Sequence, residues 1–121
     1  MAEHLAGVSH EFQEGGRKIV RIGETEIGIF RRTGLLYAYE NRCLHQGGPV
    51  CEGLLMGKVE AVLDGGRRYL GEQFSDEEIH IVCPWHGWEY DLETGACAAD
   101  RRLSLKRYRV VERGGEVYVV I

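Results

Sequence analysis

Two short segments, their cysteines forty positions apart, each set a thiol beside an imidazole: Cys43-Leu44-His45 and Cys83-Pro84-Trp85-His86. Four soft or borderline donors arriving as two Cys/His pairs describe a metal site. Any fold of this chain must therefore carry both segments to one place. Glycine follows each pair, as Gly47-Gly48 ahead of Pro49 and as Gly87 after His86. It lets the backbone turn with positive φ and approach closely. Two Cys and two His also satisfy tetrahedral zinc, so donor type alone does not decide the metal. Zinc-finger spacing would put two cysteines in one knuckle and two histidines on a helix, unlike the order here. A zinc-stabilised interaction module is the alternative.

With 121 residues the chain is expected to form one domain, 1–121, large enough to bury a core without disulfides. A net charge of -4 argues against nucleic acid, which demands a basic face. Residues 1–12 carry Glu3, His4 and Glu11 and lack the apolar run of a secretory signal. No stretch approaches the roughly 20 apolar residues of a membrane span. The expected location is cytoplasmic, where thiols stay reduced, so Cys51 and Cys97 read as small apolar side chains rather than a disulfide.

Short runs rich in β-branched and aromatic residues, separated by glycine turns, predict an all-β sandwich or barrel. Residues 1–16 read as an irregular lead-in or a first edge strand. Residues 17–22, 25–31 and 35–40 form three successive strands that deliver the chain to Cys43. Residues 78–82 and 88–91 flank the second pair, and 103–112 with 116–121 make a closing hairpin across Arg113-Gly114-Gly115. Thirty-seven residues separate His45 from Cys83, and a structureless loop of that length is rare in a compact domain. The excess, about residues 54–76, reads as an extra β-hairpin turning at Gly65-Gly66. A short helix over 51–63 competes, opposed by Gly53 and Gly57.

The segments Cys43-Leu44-His45-Gln46-Gly47-Gly48-Pro49 and Cys83-Pro84-Trp85-His86-Gly87-Trp88 resemble the Rieske motif. The resemblance implies one Rieske-type [2Fe-2S] cluster per chain, its irons held by Cys43, Cys83, His45 and His86, two cysteines on one iron and two histidines on the other. It implies an antiparallel β-sandwich or barrel carrying a cluster-binding portion of two loops, about residues 41–92. Membrane-complex Rieske proteins join the two loops by a disulfide at positions that are Gly48 and Trp85 here, so the resemblance is to the soluble ferredoxin branch. Those proteins also place a serine where Trp88 stands and a tyrosine where Tyr90 stands. One donor fewer implies a potential in the lower part of the Rieske range of about -150 to +300 mV.

The function implied is one-electron transfer without a catalytic site, as the ferredoxin component of an aromatic-ring oxygenase system. Its partners would be a flavin-dependent NAD(P)H reductase and a terminal oxygenase or other oxidoreductase, with no nucleic acid or membrane. The alternative within the family is a noncatalytic subunit such as the small subunit of nitrite reductase. Gln46, Pro49 and Trp85 flank the two histidines and are the expected partner surface. The basic residues Arg101, Arg102, Lys106, Arg107 and Arg109 read either as a docking run or as the solvated face of an edge strand. His80 is expected on the opposite face from Ile79 and Ile81, in a structural role.

Overall fold

The computed structural model describes residues 2–63 and 65–121. Among the described residues, nine strands form two antiparallel sheets: β1 (Glu3–Val8), β2 (Arg17–Ile22), β3 (Thr25–Arg32), β4 (Leu35–Glu40), β5 (Leu54–Leu63), β6 (Tyr69–Val82), β7 (Glu89–Asp91), β8 (Arg107–Arg113) and β9 (Glu116–Val120). The larger sheet runs β1-β9-β8-β4-β3-β2 and the smaller β5-β6-β7. The expected all-β class is observed, and the lead-in contains an edge strand, β1 on β9. No helix among the described residues is long and apolar enough to cross a membrane.

Alternation along β3 and β4 explains why the larger sheet has a core on each face. Ile27, Ile29 and Ala38 point one way and pack with Phe12, Tyr108, Val117 and Val119. Phe30, Tyr37 and Tyr39 point the other way, into a second core shared with Ile81, Tyr90 and all four cysteines. That second core is the contact between the sheets. The buried Tyr39 hydroxyl crosses it and donates to the Leu92 carbonyl at 2.7 Å. Gly28, on the same face of β3, leaves room for Cys51: a Cβ there would stand 2.3 Å from the Cys51 Cβ. The short 3-10 turn Val50–Glu52 therefore lies directly on β3.

Two local expectations are corrected. The expected hairpin over 54–76 forms from β5 and β6, but its second strand does not stop at 76: β6 runs from Tyr69 through Val82, taking in the strand expected separately over 78–82. The arm is an outgrowth of the strands that support the site, and beyond the 3-10 turn ending at Glu52 no helix forms over 51–63. Its expected two-glycine turn lies at the tip, where Asp64 falls outside the described residues. In the closing hairpin β8 starts at Arg107 rather than residue 103. The preceding segment instead buries Leu105 and pairs through the single bridge of Ala96 with Ser104.

Candidate metal centre

The two Cys/His loops share one backbone pattern. In each, the cysteine carbonyl accepts the N-H of the glycine four residues on, Gly47 and Gly87, both at 2.9 Å. Each cysteine N-H donates 2.8 Å to the carbonyl five residues on, of Gly48 and of Trp88. Both glycines have φ of 74°, a left-handed conformation that a side chain would strain. Equivalent turns thus present the donors of each loop alike. β4 delivers the first loop, while β6 and β7 flank the second.

The loops meet at their donors. Cys43 and Cys83 are buried, at 3% and 2% exposure, and both thiols are free of disulfides. The rings of His45 and His86 are exposed and lie edge to face, 4.7 Å between centroids. Burial raises the Cys83 thiol pKa against the lowering effect of the Trp85 N-H hydrogen bond, and the neighbouring Cys43 thiol raises it further. A metal that bound there would displace protons. The Tyr90 hydroxyl accepts the Leu44 N-H at 3.2 Å and lies 3.2 Å from Cys43 Sγ, so its own proton is available to the sulfur. Two buried sulfurs with aimed N-H and O-H donors, and two imidazoles on the solvent side, fit a binuclear iron-sulfur cluster.

Aromatic side chains of the second loop hold the first. Trp88 stacks on His45 with centroids 4.6 Å apart and planes 9° from parallel, while packing against the buried core. Core packing beneath the loop and contact with a histidine are therefore one role. Trp85 stands over Gly48, where an added Cβ would meet its ring at 2.8 Å. Arg17, from β2, donates from one nitrogen to the Cys51 carbonyl at 2.7 Å and to that of Gly53, fixing the turn behind the first loop. Of the expected partner surface, Gln46 and Trp85 are exposed and Pro49 is half-buried. Leu44, between Cys43 and His45, is also exposed, at 45%, where its apolar character alone suggests burial.

His80 is buried. Its Nδ1 lies 2.8 Å from Glu89 and its Nε2 2.5 Å from Glu78, which Arg101 also contacts at 3.1 Å. The clamp joins β6 to β7 behind the second loop. Cys51 is a buried thiol, pushed up to about 12 chiefly by burial, in keeping with a packing role. The hydrogen bond from His80 holds the Glu78 carboxyl below the usual range, helped by Arg101. A depressed carboxylate pKa stabilises the fold above the unfolded-state value and ceases to do so as pH falls through the folded value. Glu78→Gln should therefore lower the melting temperature at pH 7, with the difference shrinking below about pH 4. Thermal unfolding of both proteins from pH 3 to 8 checks this, and a constant difference would refute it.

Comparison with known proteins places this geometry. The family model described as "Rieske [2Fe-2S] domain" matches residues 3–109. Ferredoxin CarAc of Metapseudomonas resinovorans is 28% identical over 104 residues, covering 85% of this chain and 78% of that protein. A human Rieske domain-containing protein is 29% identical over 89 residues, 74% of this chain and 46% of its own length. The chain thus spans about half of that relative. The solved reduced complex between oxygenase and ferredoxin in carbazole 1,9a-dioxygenase contains a chain similar at TM-score 0.68 and 26% identity, over 97% of this chain and 27% of that one. The match of 3–109 takes in both Cys/His loops and sets the zinc module aside: the chain belongs to the family of Rieske [2Fe-2S] domains.

Proposed function

We propose that this chain is a one-electron carrier, the ferredoxin component of a multicomponent oxygenase system. The observation that carries the reading is the arrangement of the site, with both cysteines buried and both histidine rings at the surface of interlocked loops. Cys43 and Cys83 would hold one iron of the cluster and His45 and His86 the other. When bound, the cluster supplies a single redox site, less negative than an all-cysteine one because two ligands are neutral imidazoles. The chain's own groups orient it: Tyr90 offers its proton to the Cys43 sulfur, and Trp88 fixes the plane of the His45 ring.

A carrier role asks no catalytic residue of the chain, which would act as one domain with its cluster-binding portion at about residues 41–92. The proposed donor is a flavin-dependent NAD(P)H reductase. The proposed acceptor is a terminal oxygenase, supported by the similar carbazole dioxygenase in which oxygenase and ferredoxin are bound together. Four unpaired thiols support a reducing, cytoplasmic compartment.

The exposed Trp85, Leu44 and Gln46 around the histidines suit a small, transient interface. The purified protein should show the absorption and EPR signature of a Rieske cluster and accept electrons from a separate NAD(P)H-linked flavoprotein. Trp85→Ala should slow delivery to an oxygenase by about tenfold, the cost of one aromatic anchor, with the spectrum unchanged. Unchanged stopped-flow kinetics would move docking elsewhere. A protein with no redox-active chromophore would end the carrier reading.

A further inference from the structure

Charge is distributed unevenly around the tip. Arg42 directly precedes Cys43, and Lys106 follows the buried Leu105 where the chain returns past β4. With Glu40, Leu44, His45 and Gln46 they line a hollow of about 430 Å³ beside the first loop. Both cations are exposed, and neither makes an ion pair among the described residues. Elsewhere Arg31, Arg32, Arg101, Arg102 and Arg113 each lie against a carboxylate. Lys106 Nζ lies 5.3 Å from the Tyr108 ring centroid, a contact that keeps its charge available. Two cations thus face the half-buried Glu40, the one carboxylate in the hollow's lining. Across the tip, Pro84, Trp85 and Gly87 bear no charge, and Glu89 is engaged by His80.

The basic run of the sequence is therefore not one surface. Arg101 and Arg102 are paired with acids, and the Arg107 guanidinium lies 5.4 Å from the Tyr37 ring centroid. Lys106 lines one hollow with Arg107 and Arg109 and, on its other side, a second with Arg42. The molecule as a whole carries -4, so it repels an acidic protein at long range in most orientations. Attraction is strongest where exposed cations without an ion pair gather, from Arg42 past Lys106 to Arg107 and Arg109, although Glu24 and Glu26 border Arg42 on its far side, and such fields select the orientation of encounter.

We propose that this flank is a cationic docking seat for an acidic redox protein, whose carboxylates meet Arg42 and Lys106 while its apolar centre covers Leu44 and Trp85. The inference rests on the electron-carrier reading. In that orientation the partner lies against His45, the exposed histidine that borders the hollow.

The test uses the reduced holoprotein, with Arg42→Gln, Lys106→Gln and the double variant. Arg67→Gln, exposed at the far end of the β5–β6 arm, serves as control. Oxidation is followed by stopped flow with ferricyanide, a trivalent anion, and with tris(phenanthroline)cobalt(III), a trivalent cation. At about 10 mM ionic strength the double variant should react about tenfold more slowly with the anion and faster with the cation, and both effects should fade by about 200 mM. Oligoglutamate, an acidic surface probe, should slow the anion reaction of the wild type and not of the double variant. Changes below twofold, equal changes with both probes, or no competition by oligoglutamate would overturn the seat while leaving the carrier intact. A wild type that exchanges electrons with neither probe would overturn the carrier reading itself.

Discussion

Cys43→Ser and Cys83→Ser proteins should purify without the visible chromophore, with iron content reduced more than tenfold. Serine is close in shape to cysteine, but its hydroxyl does not ionise near neutrality, and iron in such clusters is held by thiolate sulfur. Each sulfur also sits in a buried position prepared for it, Cys43 beside the Tyr90 hydroxyl and Cys83 beside the Trp85 N-H. An oxygen with a shorter bond to Cβ reaches neither the donors nor the metal equally well. Cys51→Ala and Cys97→Ala should keep the colour, at a stability cost of about 1 kcal/mol for each small cavity. Absorption, EPR and iron per chain on the four variants decide the assignment. Colour retained in Cys43→Ser, colour lost in Cys51→Ala, or a colourless wild type holding one zinc would each defeat it.

Gly53→Ala is the second large effect, and it acts through the backbone. A Cβ at residue 53 would stand 1.8 Å from the Val82 carbonyl oxygen, 2.8 Å from its carbon and 3.1 Å from the Val50 oxygen. None of these atoms is the end of a side chain that could swing away. Val82 immediately precedes Cys83, and Val50 opens the turn behind the first loop, so the methyl group forces apart the two segments that bring the loops together. Arg17, bonded to the Gly53 carbonyl, resists the shift from the other side. The expected loss is about 4 kcal/mol, at the upper end of single substitutions, or roughly 15 °C in melting temperature for a chain of this size. The cluster should also be partly lost on purification. Gly65→Ala, where a Cβ meets nothing within 4 Å, should stay within about 0.5 kcal/mol of wild type. If the two variants melt alike, the close approach at Gly53 is wrong.

Much of this arrangement was legible because its causes are local. β2, β3 and β4 show in their alternation and glycine turns, and the four donors show in the spacing of each loop. What escaped was set by tertiary contact. The continuity of β6 escaped because the split rested on reading an insertion as a separate unit, although neither Gly nor Pro interrupts residues 72–82. The partners of His80 escaped because alternation assigns it a face without naming what lies there, and Glu89 comes from the next strand. Residues 103–106 look like strand because Leu103 and Leu105 alternate, yet Leu105 is spent on the core between the sheets. The basic run divides because Arg101 and Arg102 meet carboxylates that the sequence does not place beside them, while Lys106, Arg107 and Arg109 stay together.

The contact of Trp85 with Gly48 occupies the two positions at which the bridged members of the family close the tip with a disulfide. A covalent closure shares the fate of every thiol around it: its integrity depends on the ambient glutathione or thioredoxin poise, and a strong reductant opens it. An indole resting on a glycine has no such dependence. Its closure is an equilibrium of packing, governed by temperature and solvent and indifferent to electron supply. The tip can thus stay shut at the reducing potentials under which its own cluster is filled, and dithiothreitol at millimolar concentration leaves it as it was.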